Sequence, residues 1–260
     1  MTKCRMFGIG IDVMTLEMAS STLIDWMDEP TAGCRYVVTP NVDHVVKLRS
    51  SPQFLVAYRD ASMVLADGKP IVLASRLLRR SLRVTVTGSD LIPHLLASAS
   101  RMQRPMRVFL LGAGPGIAQQ AAEKIGRDWP NAHVVGVYSP PFGFEYDSVE
   151  CGHIVGQINA AEPDLLVIGL GAPKQELWIH SNRDRLHAKV AICAGATIDF
   201  IAGSKARAPA WMRKLGLEWL HRVVTEPRRL LRRYAHDAVI FPAVLMREMI
   251  AGSSSAEEQV

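Results

Sequence analysis

Short apolar runs of strand length alternate along the chain with longer stretches whose apolar residues recur at helical spacing. The strand-like runs fall at 6–13, 36–39, 63–66, 107–111, 133–138, 165–170 and 190–194. Several are rich in Val and Ile and apolar throughout, as strands buried on both faces are. Between them the spacing predicts helices over 16–27, 42–59, 71–78, 90–101, 117–128, 148–160 and 174–186. Such alternation predicts an α/β fold: a Rossmann-like, mainly parallel sheet with helices on both faces and right-handed crossovers. After Gly203 the pattern changes. Residues 207–236 read as one or two basic amphipathic helices, with Pro209 and Pro227 suited to helix starts, and no strand follows. The expected organisation is an α/β body over 1–203, a helical appendage over 204–250 and a disordered tail over 251–260, where Gly-Ser-Ser-Ser-Ala-Glu-Glu is found.

Charge sharpens this division. The 260 residues carry a net charge of +5, yet the segment from Lys205 to His236 holds nine Lys or Arg against Glu218 and Glu226, a net +7, leaving −2 for the rest. Such a segment suits a solvated helix face, nucleic acid or an anionic membrane. Trp211, Leu215, Leu217, Trp219, Leu220, Val223 and Val224 interleave with its charges, a pattern that fits an interfacial helix. An anionic surface would contribute ~1 kcal/mol per nearby Lys or Arg. The apolar run at 238–246 is short of the ~20 residues a spanning helix takes. Four cysteines without a CxxC pair argue against a disulfide framework or zinc site, and no apolar leader with a cleavage site follows the first basic residues. A reduced cytosolic setting is the expectation.

In open α/β sheets, ligands sit beyond the carboxyl ends of the strands, so the residues just after each strand are the informative ones. Asp67-Gly68 follows one strand. A partly desolvated carboxylate there suits a general base, or else caps the next helix. Thr39 and Asn41 follow what should be a neighbouring strand, as site residues or turn formers. Gly112-Ala-Gly114-Pro-Gly116 follows a strand and opens a helix. It could cradle a phosphate or simply make a tight turn. Ile117 breaks the GxGxxG spacing, and no acidic residue ends the next strand, which argues against a dinucleotide fingerprint. No GxxxxGK[ST] and no GxSxG occur. Gly171-Ala-Pro-Lys174-Gln175-Glu176 gathers amide, ammonium and carboxylate groups at a helix start, where free N–H groups favour an anion. Asp199 could hold a base or ribose, or cap a turn. The eight histidines form no HExxH, and no two of the thirteen aspartates are two residues apart. No metal is therefore expected.

Taken in order, the motifs Thr39-Pro-Asn41-Val-Asp43-His44-Val, Leu65-Ala-Asp67-Gly68, Val86-Thr87-Gly88-Ser89-Asp90-Leu, Phe109-Leu-Leu-Gly112-Ala-Gly114-Pro-Gly116, Gly169-Leu-Gly171-Ala-Pro173-Lys174-Gln175-Glu176, Arg207-Ala-Pro209-Ala-Trp211, Gly216-Leu-Glu218-Trp219-Leu and Glu226-Pro227-Arg228-Arg229-Leu make the chain resemble the bacterial WecG/TagA/CpsF glycosyltransferase family from about residue 8 to 235. The resemblance implies an inverting, metal-independent enzyme without cofactors. Such enzymes move a sugar from a UDP-sugar to a polyprenyl-pyrophosphate-linked saccharide in cell-surface polysaccharide synthesis. The donor sugar is N-acetylmannosamine, its uronic acid or a glucose type. The implied setting is the cytoplasmic face of the bacterial inner membrane, with peripheral attachment to an anionic surface, no nucleic-acid partner and room for a homo-oligomer.

Residue by residue, the resemblance implies Asp67 as catalytic base with Thr39 as its catalytic neighbour, Asn41 in the same motif on the substrate, Gln175 on the diphosphate, Asp199 on the uracil and Tyr138 flanking the base. Gly68, Gly112, Gly114, Gly171, Lys174 and Glu176 join the proposed binding set, with Arg207, Arg213, Arg222 and Arg229 of the appendage steadying pyrophosphates. One departure stands out. The family often has Arg two residues before Thr-Gly, and Thr85 fills that place here, with Arg83 two residues earlier. The residues alone also admit a non-enzymatic membrane- or nucleotide-binding module, distinguished by UDP binding, and a nucleotide-sugar oxidoreductase, which would bind NAD.

Overall fold

The computed structural model describes residues 2–30, 32–80 and 82–257; for Lys214, Arg229 and residues 251–257 it describes the backbone alone. The chain opens with a hairpin, β1 (Lys3–Met6) and β2 (Ile9–Asp12), paired antiparallel. The single strand expected over 6–13 is therefore two strand pieces joined at Phe7-Gly8. Both turn residues have positive φ, 57° and 78°, as a two-residue hairpin turn requires. The apolar, buried Phe7 disguised this turn as strand. Next come α1 (Leu16–Asp28), β3 (Arg35–Val38), α2 (Val42–Ser50), α3 (Pro52–Arg59), β4 (Met63–Val64), α4 (Lys69–Leu77) and α5 (Gly88–Arg101). The one helix expected over 42–59 is broken at Ser51. Pro52 forces the residue before it out of the helical region, and Ser51 Oγ accepts from Phe54 N to start α3.

The chain continues through β5 (Met106–Gly112), α6 (Ile117–Asp128), β6 (Ala132–Tyr138), α7 (Ser148–Ala161), β7 (Leu165–Gly169), α8 (Lys174–Asn182), β8 (Val190–Cys193) and α9 (Thr197–Ala202). Helix α8 ends earlier than expected, and a single 3-10 turn covers Arg183–Arg185. Three helices follow among the described residues: α10 (Ala210–Leu215), α11 (Glu218–Thr225) and α12 (Pro227–Glu257), the last running into the segment over 251–260 expected as a disordered tail, whose residues 258–260 lie outside the described residues.

The sheet has six strands in the order β4-β3-β8-β7-β5-β6, and every pair is parallel. Alternate residues feed two cores. Tyr36, Val38, Leu111, Ile168 and Cys193 face one side, while Val37, Leu110, Val167 and Ile192 face the other. This is the expected Rossmann-like sheet with helices on both faces. All its carboxyl ends open at one edge, which brings residues 39–41, 67–68, 169–172 and 194–199 together.

The appendage is packed onto the body. Helix α12 lies against α2. Leu230 and Val244 are buried, Phe241 meets Phe7 with ring centroids 5.9 Å apart, and Ile240 and Leu245 join the core on that side. Among the described residues no helix is long and apolar enough to cross a membrane.

Candidate active site

A cavity of about 520 Å³ lies over the carboxyl ends of β4, β3, β8 and β7. Its floor belongs to the body: Thr39, Asn41, Asp67, Gly68, Gly171, Gln175, Gly195 and Asp199. Its roof comes from the appendage: Lys205, Arg213, Glu218, Trp219, Arg222, Arg233, Tyr234 and Asp237.

Asp67 stands three residues beyond β4, and its backbone N–H donates to Pro40 O at 2.9 Å. This ties the end of β4 to that of β3 and puts Asp67 beside Thr39 and Asn41. Asp67 is not a cap: Gly68 takes the N-cap position of α4, and no side chain caps that helix. Gly68 has φ 92°, a conformation costly for any residue with a Cβ, so the turn itself selects glycine there. The Asp67 carboxyl is left facing the cavity. Burial pushes it up to about 7, with Glu218 and Asp90 acting in the same sense, while Arg222 and a hydrogen bond from Asn41 pull it back. A carboxylate in that range takes up a proton readily near neutral pH, as a general base must. Asn41 does two jobs. Its Oδ1 accepts from His44 N at 3.2 Å to cap α2, and its side chain also bonds Asp67.

Gln175 is buried at the start of α8. Its Oε1 accepts from Gly171 N and Gly195 N, each at 3.2 Å, and its Nε2 donates to Glu176 Oε1 at 2.8 Å. One amide thus fixes the turns after β7 and β8 to each other. Glu176 lies fully buried behind Gln175 and away from the cavity wall, and burial pushes it up to about 7. His44 is also buried, which pulls its pKa down to about 4 and leaves it neutral at pH 7; its Nδ1 lies 2.5 Å from Tyr58 Oη.

Several expected residues stand elsewhere. Gly112 and Gly114 form the turn from β5 into α6, outside the cavity lining. A Cβ on Gly112 would come within 2.5 Å of Gly169 O, so glycine there permits the close approach of β5 and β7. Tyr138 ends the edge strand β6 and donates its hydroxyl to Glu150 Oε1 at 2.6 Å. Lys174 pairs with Glu145 at 2.8 Å and sits over the rings of Phe142 and Phe144. Arg207 donates to Ser89 O and Asp90 Oδ1, at 3.1 and 2.7 Å, clamping the appendage to the start of α5. The side chain of Arg229 lies outside the described residues. Two residues before Thr87-Gly88, where the resemblance leads one to expect Arg, Thr85 lines the cavity, and Arg83 is exposed.

The roof is held by charge and by rings. Lys205 reaches Asp199 and Glu226 at 3.6 and 3.7 Å, and Arg213 reaches Asp90 at 3.5 Å. Arg222 lies over Phe200, and Trp219 packs on Tyr234. Sequence reasoning passed over Lys205, Glu218, Trp219, Arg233, Tyr234 and Asp237 as wall residues. The signal was present on α12: 230, 233, 234, 237, 241 and 244 share one helical face, and that face turns polar midway. Among the described residues no group of three or more His, Cys, Asp or Glu is placed to hold a metal ion.

Residues 4–255 match the sequence profile of the glycosyl transferase WecG/TagA/CpsF family. The chain is similar to the N-acetylglucosaminyldiphosphoundecaprenol N-acetyl-beta-D-mannosaminyltransferase of Bacillus spizizenii, 32% identical over 225 residues, covering 86% of this chain and 84% of the relative. It is also similar to the enzyme of the same name from Staphylococcus aureus, 28% identical over 233 residues, covering 88% and 87%. These matches span nearly the whole length of the chain. The chain belongs to the WecG/TagA/CpsF family of glycosyl transferases.

Proposed function

We propose that the chain transfers an N-acetylmannosaminyl-type sugar from a UDP-sugar to a polyprenyl-diphosphate-linked saccharide, with inversion and without a metal ion, while lying on the cytoplasmic face of a membrane. The observation that carries the reading is Asp67: a carboxyl held near neutral proton affinity, on the floor of a cavity roofed by cations. In its charged form Asp67 accepts the proton of the acceptor hydroxyl as that oxygen attacks the anomeric carbon. The bond to the UDP oxygen breaks on the opposite face, and the leaving diphosphate keeps the electron pair. Thr39 and Asn41 orient the groups around Asp67. Lys205, Arg213 and Arg222 stabilise the departing charge, and Gln175 keeps the glycine turns after β7 and β8 in place. Asp199, at the far end of the floor beside Phe200, suits the nucleoside.

Peripheral attachment is supported by the appendage, whose Trp211, Leu215 and Val224 are exposed beside its basic residues. The test of the chemistry is Asp67→Asn. This variant should bind UDP as wild type does and transfer sugar about 10²-fold more slowly or worse. Near-full turnover by a folded variant would exclude Asp67 as the base.

A further inference from the structure

Helix α12 brings to the cavity wall two residues that each hold a buried, unsatisfied polar atom. Asp237 is 3% exposed, and its Oδ2 has no hydrogen-bond partner. Its other oxygen lies 3.7 Å from His236 Nδ1. One turn earlier, the Nε–H of Arg233 is buried and likewise without an acceptor, while the tip of the same guanidinium stands 3.9 Å from Asp43 Oδ2. Both residues line the cavity, together with Asp43, His44 and Tyr234. At i and i+4 they share a helix face, with Cβ atoms about 5–6 Å apart. Folding gains nothing from leaving a donor and an acceptor dry and unpaired; each costs its full desolvation penalty. Neighbouring unmet groups of opposite sense match a ligand that both accepts and donates over a few ångströms, as an acetamido group or two adjacent hydroxyls of a sugar do.

Two substrates carry sugars, and the fold separates them. The nucleotide end of the cavity is the Asp199, Gly195 and Gly171 region after β7 and β8. Arg233 and Asp237 stand instead where α12 packs on α2, the helix that Asn41 starts. The same helix exposes Leu231, Val239 and Met246 on its outer side. A saccharide presented on a lipid anchor would meet the protein along α12. We propose that Arg233 and Asp237 form the acceptor-saccharide subsite, Arg233 Nε–H donating to the acceptor's sugar and Asp237 Oδ2 accepting from it. This rests on the transferase reading given above.

The experiment is steady-state transfer from UDP-N-acetylmannosamine to a water-soluble short-chain polyprenyl-diphosphate N-acetylglucosamine, by the full chain and by Asp237→Asn, Asp237→Leu and Arg233→Lys, alongside thermal melting and UDP titration. Asparagine keeps the shape and removes the charge, leucine removes the acceptor, and lysine keeps the charge near Asp43 but has no Nε–H fork. The acceptor KM should rise about tenfold or more in both Asp237 variants. It should also rise in Arg233→Lys. Donor KM and UDP affinity should hold, and the melting temperature of the Asp237 variants should stay level or increase. A residue that merely braces α12 would instead lower the melting temperature and degrade both substrates' parameters together, which overturns the proposal. So does a rise in donor KM alone, which assigns the pair to the donor sugar, and so does an unchanged acceptor KM. A wild-type chain that transfers nothing overturns the transferase reading as well; a working wild type with unaffected variants overturns only this subsite.

Discussion

The floor and the roof of the cavity are built by different means. On the floor, each polar group is set by backbone. Asp67 follows a strand end bonded to Pro40 O, Asn41 caps a helix, and Gln175 spans two glycine turns with bonds of 3.2 Å. On the roof, position depends on long side chains in partly exposed ion pairs, such as Lys205 with Asp199 at 3.6 Å and Arg213 with Asp90 at 3.5 Å. Pairs of that kind contribute little to stability, typically about 0–1 kcal/mol each, and salt screens them. Geometry fixed by strands suits a group that must meet a reacting atom. Charge on mobile stems suits a diphosphate that must enter and leave. The division of labour that follows is chemistry below and charge above, and each expected result tests it.

The largest effect falls on the floor. In wild type the rate should rise with pH through about 7, as Asp67 loses its proton, and Asp67→Asn should abolish both the limb and most of the turnover. A variant that kept a normal acid limb would place the base elsewhere.

Removing the roof comes next. Deleting residues from 204 onward should remove most transfer, because Lys205, Arg213 and Arg222 go with them. The appendage also adds packing to the body. Leu230 and Val244 are buried and the partly buried Phe241 packs against the core, so the truncated chain should melt at a lower temperature. A gentler variant, Leu215→Glu with Val224→Glu, alters two exposed positions and leaves that packing face untouched. It should lose sedimentation with anionic vesicles at low salt yet turn over a water-soluble acceptor normally. Equal sedimentation by variant and wild type would make this face a solvated surface.

The floor was largely legible in the sequence, and the roof only in outline. Strand ends in a parallel sheet announce themselves as apolar runs followed by small and polar residues, so Thr39, Asn41, Asp67, Gly171, Gln175 and Asp199 could be named and were found on one cavity. The hairpin at Phe7-Gly8 was not legible, because its turn is apolar. Nor were the side chains that fold away from the crevice: Lys174 satisfied by Glu145, Glu176 buried behind Gln175, and Tyr138 bonded to Glu150. Their partners lie at a distance in sequence that no local pattern reveals. In the appendage the excess of charge was plain. Which members turn inward depends on how α12 seats against α2, and Arg233 and Asp237 emerged only from that packing.

A smaller effect tests whether the roof tunes the floor. Glu218 raises the Asp67 proton affinity and Arg222 lowers it. Glu218→Gln should therefore move the acid limb of the rate to lower pH, and Arg222→Ala should move it to higher pH while also slowing the plateau. Opposite displacements from two residues on one helix are the signature of charge acting across the cavity. If both variants shift the limb in the same direction, a change in roof packing rather than its field is responsible.

The smallest expected effect is none at all. A departing diphosphate must be stabilised by something, and many transferases would recruit a divalent cation held by clustered carboxylates. Here several acidic residues facing the cavity are paired, Asp199 with Lys205, Asp90 with Arg207 and Arg213, Asp43 with Lys47 and Arg233, and among the described residues no three carboxyls gather to hold a metal. The same cavity is lined by Lys205, Arg213 and Arg222, the cationic groups to which the proposed reading gives the leaving group's charge. Transfer measured in excess EDTA should then equal transfer measured in added Mg²⁺, while raised ionic strength should slow it by screening the roof. A rate that collapses in EDTA and returns with Mg²⁺ or Mn²⁺ would move the stabilising charge from the roof to a metal on the floor, and would undo the contrast between them.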